Sequence, residues 1–182
     1  MIHRKLFFDK IGRSMFARDL KPSQMDGLVS ILDYWEANYA DKDLRWLAYI
    51  LGTVHHETDR TFQPIEEYGK GGERLYAAVH PDTNCAYYGR GFVQLTWRKN
   101  YELAGSKLGL DLEHVPELAC ELAPATAILV RGMVEGWFTG AKLEQFFNDE
   151  RGDWINARRI VNALDRAALV GGYAKNYLEA LS

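Results

Sequence analysis

A mainly helical α+β fold is what this sequence predicts, and three observations predict it. Apolar residues recur at helical spacing over most of the chain, while turn-forming residues punctuate one internal stretch from Phe62 to Gln94. No internal repeat or low-complexity linker divides the 182 residues, a length suited to one ordinary domain. A hydrophobic fraction of 47% with 13% aromatics supports a packed core.

The elements follow in order. Ser23 is the expected N-cap of a helix, with Asp26 three positions on and Met25, Leu28, Val29, Leu32, Trp35 and Tyr39 at helical spacing. A second helix starts after Asp43, carries Leu44, Leu47, Ile50, Leu51 and Val54 as its buried stripe, and stops near Asp59. Between Phe62 and Gln94 the punctuation by Gly69, Gly71, Gly72, Pro81, Gly89 and Gly91 predicts irregular loops. Tyr87, Tyr88, Phe92, Val93 and Leu95 there suggest a small antiparallel hairpin. Helices are expected again over 97–108, 124–138 and from Asp153 to the C-terminus, with Asp165 capping the last. All five tryptophans, Trp35, Trp46, Trp97, Trp137 and Trp154, are expected in the core.

Charge and cysteine content remove several function classes. The net charge is −3, spread as −1 and −2 over the two halves, so wholesale electrostatic binding of nucleic acid has no support. Two cysteines, Cys85 and Cys120, exclude a disulfide-stapled scaffold and a paired-cysteine zinc motif, and are expected as unpaired thiols. The apolar stretch around 46–54 is too short to span a bilayer, and Asp9 and Lys10 interrupt any signal core, which predicts a cytoplasmic protein without membrane insertion.

Acids concentrate where the second helix runs into the glycine-rich loop: Glu57, Glu66, Glu67 and Glu73, with His55, His56, Tyr68 and Arg74 nearby. A zinc hydrolase would need a second histidine at the position of Arg60, so that reading fails. His3, His80 and His114 have no ligand spacing, and no metal or cofactor is expected. Neither Cys85 nor Ser106 sits in a nucleophile motif. Paired carboxylates for glycosidic cleavage remain, one donating a proton and the other acting on water. Glu57 suits the donor role because a helix C-terminus disfavours negative charge. Taken alone, the same acids read more readily as solvated surface carboxylates.

Specific segments add to this. His56-Glu57-Thr58, followed by Phe62-Gln63-Pro64-Ile65-Glu66-Glu67-Tyr68-Gly69, resembles the catalytic region of family 19 glycoside hydrolases, nearest to the phage and prophage endolysins among them. The run from Tyr87 through Gly89-Arg90-Gly91 to Thr96-Trp97, and the run Arg158-Arg159-Ile160-Val161-Asn162, are similar to further stretches of that family. The resemblance implies a lysozyme-like, two-lobed fold with the hairpin beside a saccharide cleft. It implies Glu57 as general acid, Glu67 as second carboxylate with Glu66 its rival, and Thr96 as a hydroxyl that helps hold the attacking water. Tyr88, Arg90, Gln94 and Asn162 match substrate-binding positions, although Arg90 suits orienting a carboxylate as well as touching sugar. The cysteine set of plant chitinases is absent, and Ala163 stands where chitinase relatives often carry glycine.

The expectation is therefore a monomeric peptidoglycan glycosidase, a muramidase-type endolysin cutting the β-1,4 bond between N-acetylmuramic acid and N-acetylglucosamine. One catalytic domain over 1–182, with no separate cell-wall-binding domain, goes with it. Inverting chemistry would set the two carboxyl groups roughly 6.5–9.5 Å apart. Release to the wall would depend on a separate membrane-permeabilising protein. The alternatives are a chitinase of the same fold, a catalytically silent glycan-binding protein and, more distantly, a zinc amidase.

Overall fold

The computed structural model describes residues 2–16 and 19–182. Among them, six α-helices carry the architecture: α1 (Arg4–Met15), α2 (Pro22–Asn38), α3 (Leu44–Glu57), α4 (Arg98–Leu108), α5 (Leu122–Glu135) and α6 (Ala167–Leu181). Two short antiparallel ribbons complete it: β1 (Ile65–Glu66) with β2 (Arg90–Gly91), and β3 (Phe147–Asn148) with β4 (Arg151–Gly152). A mainly helical α+β fold with a small antiparallel hairpin is thus what forms.

Helix α3 is the axis. Asp43 caps it by accepting from the Arg45 N–H at 2.9 Å, and every residue from Trp46 to His55 is buried. A helix that is apolar on all sides is covered on all sides. Its tightest neighbour is α6, where Gly52 lets the backbones meet: a Cβ on Gly52 would lie 2.7 Å from the Ala174 nitrogen. Helices α1 and α5 also belong to this core, through Phe7 and Ile11 and through Ile128, Leu129 and Met133. Helix α2 is held by a similar close approach at Gly27, whose Cβ would collide with the Phe62 carbonyl.

Several details differ from the sequence reading. Helix α2 starts at Pro22, one residue before the expected cap, because a proline in the first turn lacks only an N–H that would be unpaired anyway. The Gln24 side chain then accepts from the Lys21 N–H at 2.8 Å. Asp165 does not cap α6: its carbonyl accepts from Arg158, and the helix begins after Arg166, which has a left-handed backbone. The stretch from Asp153 breaks into a short helical turn over Asn156–Ile160 and then α6. Trp97 is 45% exposed and outside the core, whereas Trp35, Trp46 and Trp137 are buried and Trp154 packs against the core. Cys85 and Cys120 are unpaired, as expected. Helix α1 went unpredicted because only Phe7, Ile11 and Gly12 of its twelve residues are buried, too few to print a periodic stripe.

One polar contact crosses the α3–α6 interface. The His55 Nδ1 and Tyr177 hydroxyl lie 2.9 Å apart, with the Tyr173 ring 4.2 Å from the imidazole and Phe16 and Phe62 closing the pocket. Burial, with the charges of Arg60 and His56 adding to it, pushes the His55 pKa down to about 4. The native state therefore resists a proton that the unfolded chain, with its ordinary histidine value near 6.5, accepts. The stabilisation is complete above pH ~6.5 and is lost as the pH falls toward ~4, amounting to about 3 kcal/mol across that window. His55→Asn keeps a hydrogen-bonding group without the titration. Urea unfolding between pH 7 and 4 should show wild-type stability falling more steeply than that of the variant. Parallel curves would mean that His55 gains its proton in the native state.

Candidate active site

Glu57 is the last residue of α3. The chain then reverses through Asp59, Arg60 and Phe62, all with left-handed backbones, at a cost on the order of 1 kcal/mol each. Thr58 holds this reversal together: its hydroxyl donates to the Val54 carbonyl at 2.8 Å and accepts from the Phe62 N–H at 3.1 Å. Sequence alone places Glu57 as an unpartnered carboxyl at a helix end. In the fold it is partnered, since Arg158 donates to Glu57 Oε1 at 2.6 Å and, from Nε, to the Asp165 carbonyl at 3.0 Å. Arg158 is 2% exposed, and the one carboxylate it meets among the described residues is Glu57. The turn carrying it is capped by Asp153, which accepts from the Asn156 N–H at 2.9 Å.

The other acids sit on the ribbon. Pairing of Ile65 with Gly91 and Glu66 with Arg90 sends the side chains of consecutive residues to opposite faces. Glu66 accepts from the Tyr88 hydroxyl at 2.7 Å and lies 3.5 Å from Arg90 Nε. The Tyr88 bond, aided by the charges of Lys70 and Arg90, holds the Glu66 carboxyl below the usual range. Glu67 enters a different set of contacts. Its Oε1 accepts from the Tyr76 hydroxyl at 2.8 Å and from Arg74 at 3.1 Å, and its Oε2 accepts from the Gly89 N–H at 3.1 Å. Gly89 permits that approach because a Cβ there would sit 2.7 Å from Gln94 Oε1 and 3.2 Å from the Glu67 Cβ.

The remaining sequence-predicted residues divide by what they touch. Tyr88 and Arg90 face inward: the Arg90 guanidinium lies 3.7 Å from the Tyr88 ring centroid, bonds the Tyr101 hydroxyl and the Ala86 carbonyl, and is 2% exposed. Their reading as sugar contacts gives way to the orienting alternative, since a guanidinium enclosed by two phenols and Glu66 has no face left for substrate. Gln94 donates to the Ile65 and Gly91 carbonyls, both at 3.2 Å, and so braces the ribbon. The Thr96 side chain is half-buried and makes no hydrogen bond among the described residues, leaving its hydroxyl available. Asn162 is exposed and accepts from the Ala163 N–H at 2.8 Å, a local turn contact. Of the hairpin aromatics, Tyr87 and Phe92 are buried, whereas Tyr68 on the glycine-rich loop is 91% exposed.

Residues 64–145 match the family model described as class I chitinase, glycoside hydrolase family 19. Over that span the chain is similar to family 19 glycoside hydrolases. The matched span includes Glu66, Glu67, Tyr88, Arg90, Gln94 and Thr96; Glu57, Arg158 and Asn162 lie outside it. Acidic endochitinase Q of Nicotiana tabacum is 33% identical over 129 residues, covering 70% of this chain and 47% of the relative. Chitinase 8 of Oryza sativa is 38% identical over 74 residues, covering 41% and 28%. The chain thus spans less than half the length of the curated relatives it matches. At the level of fold, chitinase C from Streptomyces griseus superimposes with a TM-score of 0.64 and 20% identity, over 97% of this chain and 92% of that one. The class IV chitinase from Zea mays gives 0.59 and 18%, over 95% and 91%. The chain shares the fold of these chitinases, the lysozyme-like architecture expected of it.

Sequence reasoning missed Arg158, Arg74 and Tyr76 as the side chains that hold the candidate carboxylates. Arg158 had a signal, an arginine in the middle of a matching segment, but its contact with Glu57 joins positions 101 residues apart. Arg158→Met should cost about 3 kcal/mol or more in urea unfolding, because it leaves Glu57 without its cation. Adding Glu57→Gln should restore part of that loss. A double variant as unstable as Arg158→Met alone would show that the charge pair contributes nothing.

Proposed function

We propose that this chain is a glycosidase that cuts β-1,4 links between N-acetylated sugars of a chitin-type glycan, with two carboxylates and inversion at the anomeric carbon. The observation that carries the reading is that Glu57 and Glu67, on different elements, are each clamped by side chains, Glu67 within the span similar to family 19. Relatives named as chitinases support the substrate class. Glu57 gives its proton to the glycosidic oxygen as the C–O bond breaks, and Arg158 stabilises the carboxylate that this leaves. Glu67 takes a proton from water as the water oxygen attacks the anomeric carbon, with the Thr96 hydroxyl orienting that water. Glu66 acts as counter-ion to Arg90 and holds the ribbon.

A second reading, hydrolysis of peptidoglycan, is favoured by the segment from Phe62 to Gly69, which is similar to that of phage and prophage endolysins. On it the protein acts as an endolysin that waits in the cytoplasm for release to the wall. Mass spectrometry of products from chitin hexamer and from purified peptidoglycan separates the two. The first reading expects cleaved chitin oligomers, initially as α-anomers by proton NMR. Glu57→Gln should lower turnover at least a thousandfold, by the order of effect expected when a catalytic acid is lost from a concerted pair. Wild-type-like turnover by Glu57→Gln would overturn the mechanism, and products from peptidoglycan alone would transfer the substrate assignment to the second reading.

A further inference from the structure

We propose that Tyr76, with Arg74 beside it, is a positioning residue that selects which oxygen of Glu67 accepts the proton from water. This rests on the reading of Glu67 as the water-activating carboxylate. Each carboxylate oxygen offers two lone-pair sites. Glu67 Oε1 has two donors, the Tyr76 hydroxyl at 2.8 Å and Arg74 at 3.1 Å, and is filled. Oε2 has one, the Gly89 N–H at 3.1 Å, and keeps a site open among the described residues. Oε2 is therefore the oxygen that takes the proton, and Oε1 is the handle by which the carboxylate is aimed.

The handle is built into the loop. Arg74 also bonds the Tyr76 hydroxyl, at 2.6 Å, so the phenol accepts from the guanidinium and passes its own hydrogen to the carboxylate. Burial, with Glu67 adding to it, raises the Tyr76 phenol above its ordinary value, which keeps that hydrogen on the oxygen. The ring stands edge-on to Trp97 at 5.6 Å, and the Tyr76 carbonyl accepts from the Tyr87 N–H at 3.2 Å. Gly71 makes the space: a Cβ there would lie 2.9 Å from the Tyr76 ring and 2.7 Å from the Ala77 Cβ. This also accounts for Trp97, which is exposed and yet placed directly after Thr96: it is a wall for Tyr76. The charged and titratable groups facing Glu67 are Arg74 and Tyr76 from the loop, while the ribbon presents the neutral Gly89 N–H; Glu66 turns to Tyr88, Lys70 and Arg90.

Tyr76→Phe keeps the ring against Trp97 and removes only the hydroxyl. On chitin oligomers or peptidoglycan, whichever the wild type cleaves, kcat should fall about tenfold to a hundredfold, the worth of one hydrogen bond to a charged group. KM should stay within about twofold, since the lost contact is not with substrate. Arg74→Gln, at an exposed position, should lower kcat the same way by a smaller factor, again with KM held. Unchanged kcat, or a change confined to KM, would overturn the assignment while leaving Glu57 and Glu67 as the acting pair. A wild type that cleaves neither glycan, or a fully active Glu67→Gln, would instead remove the proposed function and this role with it.

Discussion

The contact between α3 and α6 is the constraint on which the rest of the molecule depends. Gly52 brings the two backbones to a distance that no side chain at that position would allow, and His55 bonds Tyr177 one turn further along. The first contact fixes the depth of α3 in the core and the second fixes its rotation. Since Glu57 lies two residues beyond His55, the placement of the carboxylate is inherited from this interface. Burial of a neutral imidazole ties that placement to pH.

The two halves of the site are held by different means. Glu57 is fixed by packing and by a buried guanidinium, so its position is as rigid as the core. Glu67 is fixed by hydrogen bonds from a loop and a two-residue ribbon, where few apolar contacts contribute. Regions with sparse burial open at lower free energy than core helices. On the proposed function, a firmly held Glu57 and a more adaptable Glu67 fit chemistry in which the bond to be broken stays put while water and a glycan strand must enter.

The ribbon shows how buried polar groups specify a local structure. Arg90 is enclosed by Tyr88, Tyr101 and Glu66, and such a charge is tolerated only with polar partners and counter-charge, here the Tyr101 hydroxyl, the Ala86 carbonyl and the carboxylates of Glu66 and Glu117. Its Nε makes no hydrogen bond, although Glu66 lies 3.5 Å away. That network occupies the ribbon's inner face and turns Glu66 toward it. Glu67, one residue on, points the other way through the alternation of an extended strand. Two adjacent acids thereby take two different jobs without competing for the same partners.

Local pattern was enough for much of this. The apolar stripe and the aspartate cap announced α3, the spacing announced α4 and α5 to within a few residues, and the tyrosine–glycine–arginine run announced one strand of the ribbon and the family resemblance. These features are legible because they depend on neighbours within a turn or a strand. The contacts that shape the site do not. Arg158 meets Glu57 across 101 positions, Tyr88 meets Glu66 across 22, and the inward turn of Arg90 depends on Tyr101 from α4. Sequence by itself determined which residues could carry the chemistry, because chemistry follows residue type and local order. Which of them stay accessible and which are enclosed as counter-ions was decided only by the tertiary structure, because burial and pairing are properties of segments brought together by the core.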